Sequence, residues 1–439
     1  MARRISVIGT GYLGATQAAS MAELGHEVIG VDRDAVKVSV LSEGRVPFYE
    51  PGLEDMLRRH VATGRLRFST SIADAADFAD VHFLCVGTPS RTGSNAADLA
   101  AVETVVDDLG REITGSCLVV GRSTVPVGTA ERLAARLTEL VPHHLHVELA
   151  WSPEFLREGH AVEDTLRPDR LVAGVQSGRA EDTLRSVFAG PLSEGVPFVV
   201  TDLATAELTK VAANSFLATK ISFINAMAEL CEVTGADVVA LADAIGYDSR
   251  IGRSFLNAGL GFGGGCLPKD IRAFMARAGE LGVDQALTFL REVDAINMRQ
   301  RHRMVELARQ ECDGDVLGKR IAVLGVAFKP ESDDVRDSPA LNVAAQLQLQ
   351  GAHVSIYDPQ ANTNAERLFP TLRYVGDLMT AVEDADLLLH LTEWEEFRSM
   401  DPETVGVVVA KKRILDGRNA LDPDLWRKAG WSYRALGRP

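Results

Sequence analysis

The chain has 439 residues, of which 46% are hydrophobic and 24% charged, the composition of an ordinary globular protein with two or three domains. Its 46 Lys and Arg and 61 Asp and Glu give a net charge of -15, which argues against nucleic-acid binding and membrane-surface binding. No apolar run approaches the roughly 18 residues of a membrane span, and five scattered cysteines favour reduced thiols in the cytoplasm over a disulfide framework.

The first half of the chain alternates apolar runs with helical patterns. Strands are predicted at residues 5–8, 28–31, 81–86, 118–120, 146–150 and 171–175. Apolar runs that alternate with helices indicate βαβ units and a parallel sheet with both faces buried. We therefore predict an α/β domain over residues 1–200.

Gly9, Gly11 and Gly14 form a G-x-G-x-x-G pattern between the first predicted strand and a helix, and Asp32 follows the second strand. Gly9 permits the tight turn, Gly11 lets a pyrophosphate approach the backbone, and Gly14 lets the helix pack on the strand. Asp32 would accept hydrogen bonds from a ribose and repel a 2′-phosphate, although the adjacent Arg33 weakens that preference. The pattern predicts NAD as the cofactor.

The middle of the chain is helical. Residues 203–233 contain neither proline nor glycine, which predicts one helix about 45 Å long. Further helices are predicted at residues 231–243, 268–281 and 285–310. Lys210 and Asn214 lie four residues apart on the long helix, on a stripe that then turns apolar, so both should point into a cleft. We predict a helical domain over residues 201–311.

A glycine-rich segment leads into Cys266. Five of the seven residues 259–265 are glycine, as is common where the backbone approaches a ligand closely or takes a positive φ. Pro268 fits the first turn of a helix, which places Cys266 just ahead of the helix N-terminus. The partial positive charge there, with Lys269, favours a thiolate, so the pattern predicts a nucleophilic cysteine. The other four cysteines (Cys85, Cys117, Cys231 and Cys312) are interpreted as small buried residues.

The last part of the chain returns to alternating strands and helices. Strands are predicted at residues 320–326, 353–357, 387–391 and 405–409, with a helix at 339–350. Lys329 and Arg336 follow the first of these strands, where two cations suit a second phosphate-bearing ligand. We predict an α/β domain over residues 312–439. The predicted fold class is thus α/β, with two Rossmann-like doubly wound domains joined by a helical middle domain that contains one long central helix.

Two further loops and a histidine cluster bear on function. Residues 152–159 and 123–129 each follow a strand, at the edge where α/β sheets place their ligands. The cluster of His143, His144 and His146 has neither a cysteine nor a carboxylate at ligand spacing, so we predict no metal.

Taken in order, these motifs resemble those of the UDP-glucose/GDP-mannose dehydrogenase family, most closely its members that act on UDP-glucose. The most specific segments are residues 262–270, 153–159 and 328–336. The resemblance implies an NAD-dependent four-electron oxidation of UDP-glucose to UDP-glucuronate, in which two NAD⁺ are used in turn. It implies a thiohemiacetal and a thioester on Cys266, and a homodimer formed through the long central helix.

The resemblance also implies roles for single residues. Lys210 and Asn214 would stabilise an oxyanion, and Asp270 would be the base or water activator. Thr124 and Glu154 would hold the water. The implied NAD contacts are Leu13, Asp32, Lys37, Thr124, Glu158, Lys269 and Arg336. The implied nucleotide-sugar contacts are Glu154, Phe155, Leu156, Arg157, Glu158, Lys210, Asn214, Phe255, Leu256, Asn257, Ala258, Gly259, Gly263 and Lys329.

Other functions stay open at this point. The substrate could be GDP-mannose or UDP-N-acetylmannosamine. A two-electron β-hydroxyacid dehydrogenase shares the glycine fingerprint and a helix with Lys and Asn, but lacks the cysteine loop and a third domain. A nucleotide-sensing or scaffold protein could keep the fold without the chemistry, although the intact set of Cys266, Lys210, Asn214 and Asp270 argues against it.

Overall fold

The structure, a computed structural model, describes residues 2–438. Its tertiary contacts divide the chain into two units. The first unit contains the chain up to Ala213 together with Arg272–Leu281, and the second contains Asn214–Ile271 and the chain from Gly282 onward. These units are defined by tertiary contacts and contain non-contiguous segments. The domain boundaries predicted after residues 200 and 311 divide the sequence in another way and stay a prediction.

A single sheet runs through the first unit. Its strands are β1 (Arg4–Ile8), β2 (Glu27–Val31), β3 (Leu66–Ser69), β4 (Val81–Leu84), β5 (Cys117–Gly121), β6 (Val147–Trp151), β7 (Leu171–Gly174) and β8 (Phe198–Thr201). They lie in the order β3-β2-β1-β4-β5-β6-β7-β8. The strands from β3 to β6 pair in parallel, whereas β7 pairs antiparallel with β6. The first six strands thus have the doubly wound order, whose ligands bind where β1 and β4 adjoin.

Helices cover both faces of this sheet. They are α1 (Tyr12–Glu23), α2 (Ala35–Ser42), α3 (Leu53–Ala62), α4 (Ile72–Phe78), α5 (Ala100–Glu112), α6 (Thr129–Leu140), α7 (Ala161–Leu166), α8 (Gly178–Val187) and α9 (Ala189–Ser193). Strands covered on both faces need apolar side chains on both, and every residue of β4 and β5 is buried. This explains why the predicted apolar runs coincide with strands, whose ends differ by a residue or two.

The middle of the chain confirms the predicted long helix. α10 (Leu203–Thr234) has 32 residues. It is followed by α11 (Val238–Gly246), α12 (Leu267–Glu280), a short 3-10 helix (Asp284–Leu287) and α13 (Phe289–Glu311). A membrane-spanning segment is not found among the described helices, α10 included. In the same residues, 2–438, no group of three or more His, Cys, Asp or Glu side chains could hold a metal ion.

The second unit has its own sheet. Its strands are β9 (Arg320–Leu324), β10 (His353–Tyr357), β11 (Arg373–Tyr374), β12 (Leu387–His390), β13 (Arg413–Asp416) and β14 (Ser432–Ala435). They are parallel neighbours in the order β11-β10-β9-β12-β13-β14, which repeats the doubly wound order of the first sheet. The helices are α14 (Pro339–Leu349), α15 (Asn362–Leu368), α16 (Leu378–Val382), α17 (Glu395–Arg398), α18 (Pro402–Val408) and α19 (Pro423–Lys428).

One predicted strand is wrong. Residues 405–409 belong mostly to α18, and the strand of this region is β13, a few residues later. Asp401 caps the helix because its carboxylate accepts hydrogen bonds from the backbone N–H groups of Glu403 and Thr404, at 3.3 and 3.0 Å. Pro402 occupies the first turn, where proline is favoured. The apolar run therefore forms one face of a capped helix.

Candidate active site

The glycine loop after β1 has the shape of a dinucleotide-binding turn. Gly9 has a φ of 89°, and a Cβ on Gly14 would lie 1.7 Å from the carbonyl oxygen of Gly9, so only glycine permits this contact between loop and helix. A Cβ on Gly11 would meet no atom of the chain within 4 Å. Gly11 precedes the first residue of α1 and provides no capping side chain, so the first N–H groups of this helix suit a pyrophosphate.

Asp32 lies beside this loop. One oxygen of its carboxylate accepts hydrogen bonds from the backbone N–H of Thr10 at 2.9 Å and from Lys37 Nζ at 2.8 Å, and the other from the N–H of Asp34 at 3.1 Å. Burial opposes ionisation, but Lys37 and the backbone donors outweigh it and lower the pKa of Asp32. The Arg33 side chain is exposed. The predicted ribose acceptor is thus a fixed anion next to the fingerprint.

The loop after β6 brings three predicted residues together. Lys210 Nζ, on α10, lies 3.2 Å from Glu154 Oε1, and both side chains are largely buried. The same ammonium lies 5.4 Å from the ring centroid of Phe155, whose ring also has the guanidinium of Arg170 at 3.9 Å. Glu154, Phe155 and Lys210 therefore form one polar and aromatic cluster in the first unit.

Other residues of these loops have different neighbours. The guanidinium of Arg157 binds the carboxylate of Asp164, with a shortest distance of 2.6 Å, and so contributes an ion pair to the loop itself. The backbone N–H of Leu156 donates to Glu154 Oε2 at 2.7 Å. Thr124 is held through its carbonyl oxygen, which accepts a hydrogen bond from the Thr88 hydroxyl at 2.8 Å.

Cys266 is placed as its pattern predicts. α12 begins at the next residue, and the carbonyl oxygen of Cys266 accepts the N–H of Asp270 at 2.9 Å, the first hydrogen bond of the helix. Its side chain is exposed, whereas Cys85, Cys117, Cys231 and Cys312 are buried. Burial raises the pKa of the Cys85 and Cys117 thiols to about 12, which keeps them protonated and unreactive.

Asp270 is the most buried of the polar candidate residues that lie near Cys266 in the second unit. It is only 2% exposed. Asn214 Nδ2 donates to its Oδ2 at 2.7 Å. Lys269 Nζ lies 2.7 Å from its Oδ1 and forms an ion pair, although the two groups do not have the angles of a hydrogen bond. Because α10 is continuous, Asn214 lies one turn after Lys210 on the same helix.

The glycines before Cys266 pack against the loop after β9. A Cβ on Gly265 would lie 2.3 Å from the guanidinium carbon of Arg336, and one on Gly263 would lie 2.5 Å from the carbonyl oxygen of Asp337. The backbone N–H of Gly264 donates to the carbonyl oxygen of Arg336 at 2.8 Å. At these glycines the loop after β9 therefore makes the close approach that was expected of a ligand.

The two cations predicted for a phosphate lie on this same loop. Lys329 Nζ lies 5.6 Å from the ring centroid of Phe328. Arg336 pairs with Asp334 at 2.6 Å, while its side chain remains largely exposed. Both cations thus follow β9, at the carboxyl edge of the second sheet, where a doubly wound sheet binds its ligand.

The predicted sugar-binding segment 255–259 is also in the second unit. Phe255 has a φ of 64°, a left-handed conformation that is uncommon for a bulky residue. Asn257 Oδ1 accepts from the guanidinium of Arg253 at 2.7 Å, and the N–H of Gly259 donates to Asn225 Oδ1 at 2.8 Å. Leu256 and Ala258 are buried. Asn225 on α10 and Arg253 in the same loop therefore hold this segment in place.

Sequence reasoning missed residues that support the glycine-rich loop. Arg418, two residues after the end of β13, donates to the carbonyl oxygens of Gly261 at 3.2 Å, Phe328 at 3.1 Å and Leu391 at 2.7 Å. The amide of buried Asn297 binds both the N–H and the carbonyl oxygen of Phe262, at 2.7 and 2.9 Å. The one signal for Arg418 was its place after a strand, and nothing near Asn297 in the sequence distinguished it.

Comparison with known proteins matches the chain along most of its length. Residues 3–191 match the NAD binding domain of the UDP-glucose/GDP-mannose dehydrogenase family, residues 204–299 its central domain, and residues 322–423 its UDP binding domain. The first of these matches confirms NAD as the cofactor, and the third supports a UDP-sugar as the ligand.

Individual relatives agree with this assignment. The chain is 41% identical over 438 residues to the UDP-glucose 6-dehydrogenase of Rhizobium meliloti, covering 99% of this chain and 100% of the relative. It is 40% identical over 439 residues to the Bacillus subtilis UDP-glucose 6-dehydrogenase TuaD, covering 100% and 94%. A solved UDP-glucose dehydrogenase from Pyrobaculum islandicum superposes with a TM-score of 0.91 at 36% identity, covering 100% and 98%. The chain belongs to the UDP-glucose/GDP-mannose dehydrogenase family.

Proposed function

We propose that the chain oxidises UDP-glucose to UDP-glucuronate, converting the C6 alcohol to a carboxylate with two NAD⁺ per turnover. The observation that carries this proposal is the exposed Cys266 at the start of α12, four residues before the buried Asp270. A plain alcohol dehydrogenase needs a cofactor and a base but no thiol. The relatives that are named UDP-glucose 6-dehydrogenases support the choice of sugar.

The thiol explains how an aldehyde can be oxidised further. Cys266 attacks the C6 aldehyde and forms a carbon–sulfur bond, which gives a thiohemiacetal. Gly9, Gly11 and Asp32 would hold NAD⁺, which would supply the hydride acceptor for the alcohol and, as a second molecule, for the thiohemiacetal. Water then breaks the carbon–sulfur bond of the resulting thioester, which releases the carboxylate and returns the thiol.

Charged and amide side chains handle the protons and the negative charge. In this proposal Lys210 and Asn214 stabilise the oxyanion that forms when the thiolate or water attacks the carbonyl. Asp270 accepts a proton as base or water activator, and Thr124 and Glu154 hold the water. The contacts of Glu154 with Lys210 and of Asn214 with Asp270 support these pairings.

The binding residues implied by the resemblance belong to the same proposal. The open backbone at Gly11 and the anionic Asp32 support the implied NAD contacts. Lys329, after β9, supports a nucleotide-sugar contact in the second sheet. The matched ranges fall within the segments 1–200, 201–311 and 312–439, which we propose as NAD-binding, central and UDP-binding domains.

We also propose a homodimer through α10. Phe216, Phe223 and Leu230 are 67%, 48% and 55% exposed, and their spacing of seven residues puts them on one stripe of this helix. An exposed apolar stripe of this kind marks a protein interface. The five free thiols support the cytoplasm as the compartment, because it keeps thiols reduced.

A substrate panel with NAD⁺ tests the proposal. UDP-glucose, GDP-mannose, UDP-N-acetylmannosamine and a β-hydroxyacid are each incubated with the enzyme, and NADH is compared with substrate consumed. We expect turnover of UDP-glucose with two NADH per sugar. One NADH per molecule of β-hydroxyacid would favour the two-electron dehydrogenase, and turnover of GDP-mannose alone would reassign the sugar. No NADH from any of them would favour the non-enzymatic alternative.

A further inference from the structure

Glu50 is a buried carboxylate on which three distant donors converge. It lies between α2 and α3 and is 5% exposed. Its Oε1 accepts the backbone N–H of Ala161 at 2.7 Å, and its Oε2 accepts the backbone N–H of Gly159 at 2.6 Å. The hydroxyl of Tyr12 also donates to Oε2. A buried carboxylate destabilises a protein unless such donors bind it, so these three hydrogen bonds account for the burial of Glu50.

One role of Glu50 is to cap a helix that lacks its own capping side chain. α7 begins at Ala161, and the residue before it, His160, makes no side-chain capping hydrogen bond. Glu50 binds the N–H of the first helical residue and that of Gly159, two residues earlier. The carboxylate thereby fixes the end of the loop that contains Glu154 and Glu158.

The second partner, Tyr12, belongs to the glycine fingerprint. It is the first residue of α1, and its ring packs against Phe48 with the centroids 4.9 Å apart. Burial, together with the neighbouring carboxylate of Glu50, raises the pKa of Tyr12 well above its usual range. The phenol therefore stays protonated and remains a donor to Glu50.

These partners stand next to two residues of the proposed cofactor site. Tyr12 precedes Leu13 and Gly159 follows Glu158, and both Leu13 and Glu158 are implied NAD contacts. Glu50 thus connects the glycine loop to the loop after β6 through side-chain and backbone hydrogen bonds inside the first unit. Two loops that bind the same ligand must stay at a fixed distance from each other, because a small displacement of one loop weakens several ligand contacts at once.

We propose that Glu50 is a positioning residue of the NAD site, which acts through Tyr12 and Gly159 and does not touch the cofactor. The proposal rests on the proposed function, because that function supplies Leu13 and Glu158 as cofactor contacts. It predicts that replacing Glu50 weakens NAD⁺ binding by more than a loss of stability alone would explain.

The test compares NAD⁺ affinity with thermal stability in purified variants. Glu50→Gln keeps the shape of the side chain but replaces one acceptor oxygen with an amide donor. We expect its dissociation constant for NAD⁺, measured by calorimetric titration without sugar, to rise about tenfold or more. Tyr12→Phe should also raise this dissociation constant. In the double variant it should rise by less than the product of the two single increases, because both residues act through one contact.

Asp401→Ala is the matched control, since it also removes two backbone hydrogen bonds at a helix start but lies in the second unit. It should lower Tm and leave NAD⁺ affinity unchanged. A Glu50→Gln protein with lowered Tm and wild-type NAD⁺ affinity would overturn the proposal. If Glu50→Gln does not fold, Tyr12→Phe decides by the same criterion. The titration needs no turnover, so a failure of the proposed function would show separately, as a lack of NADH from UDP-glucose.

Discussion

Asn214 donates a hydrogen bond of 2.7 Å to the buried carboxylate of Asp270. Four residues before Asp270, Cys266 is the residue whose carbonyl accepts the first hydrogen bond of α12. The amide of Asn214 therefore orients the carboxylate that stands one helical turn from the thiol. This contact gives Asn214 a second role in the proposed reaction besides oxyanion stabilisation.

Replacement of Asn214 should impair the chemical step more than substrate binding. We expect Asn214→Ala to lower kcat by about 10²-fold, since both an oxyanion donor and the partner of Asp270 are lost. Steady-state kinetics with UDP-glucose and NAD⁺ provide the measurement. Thr209→Ala, at a half-buried residue of the same helix, should have wild-type kinetics. A rise in KM with unchanged kcat would show that Asn214 only binds the sugar.

The anionic Asp32 should make the enzyme prefer NAD⁺ to NADP⁺. Its lowered pKa keeps the carboxylate charged at neutral pH, and a 2′-phosphate beside it would meet a like charge. We expect kcat/KM for NAD⁺ to exceed that for NADP⁺ by on the order of 10²-fold, and we expect Asp32→Asn to lower this ratio. Arg33→Ala is the control and should leave the ratio unchanged. Equal use of both cofactors by the wild type would indicate that Arg33, not Asp32, faces the ribose.

Glu207 should make the stability of the protein depend on pH. Its buried carboxylate accepts the backbone N–H groups of Gly128 at 2.7 Å and Ala130 at 2.6 Å, at the start of α6. Burial outweighs these donors and raises the pKa of Glu207 to about 7, with Glu131 raising it further and Arg277 lowering it. In the unfolded chain the carboxyl has its ordinary, lower pKa. The unfolded state therefore loses its proton first, and stability falls as the pH rises between the two pKa values.

Glu207→Gln should remove this component of the pH dependence. The loss in the wild type amounts to at most about 3 kcal/mol between about pH 4.5 and pH 7. The Tm of the variant relative to the wild type should therefore increase as the pH rises through this window. Glu112→Gln, an exposed change, should follow the wild type. A constant Tm difference between wild type and Glu207→Gln would contradict the raised pKa.

Charges on the apolar stripe of α10 should separate the proposed dimer. Phe216→Glu combined with Phe223→Glu places two like charges of each subunit in the proposed interface, where their desolvation is unfavourable. Light scattering should give the mass of a dimer for the wild type and of a monomer for the double variant. Val407→Glu, at an even more exposed apolar residue of α18, should remain dimeric. A double variant with an unchanged mass would exclude this stripe as the interface.

Much of the fold was predictable because its signals are local. Gly9, Gly11, Gly14 and Asp32 form their pattern within one βαβ unit, and the long helix was recognisable from the absence of proline and glycine. The strand predicted at residues 405–409 failed because its apolar run looks alike in a buried strand and on one helix face. The capping residue Asp401 and the following Pro402 were the local signals that favoured the helix.

The candidate site was predictable only where its residues stand in a short pattern. Cys266 and Asp270 occupy one helix start, so their relationship follows from the sequence. Glu50 and Arg418 act on loops far away in the chain, and no spacing rule connects them to their partners. The glycines before Cys266 were predicted to approach a ligand closely or to take a positive φ; Gly261 and Gly264 do have a positive φ, and a close approach to a ligand stays a prediction. Their packing against Arg336 and Asp337 could not be predicted, because it depends on the tertiary fold.

Cys266→Ser tests the proposed thioester most directly. The serine oxygen can attack the aldehyde and be oxidised to an ester, but an ester transfers its acyl group to water more slowly than a thioester does. After incubation with UDP-glucose and NAD⁺, intact-protein mass spectrometry should show a covalent adduct of the nucleotide sugar, with turnover nearly abolished. Cys312→Ala, at a buried cysteine, should carry no adduct and turn over like the wild type. Normal turnover by Cys266→Ser, without an adduct, would contradict a covalent role for this cysteine.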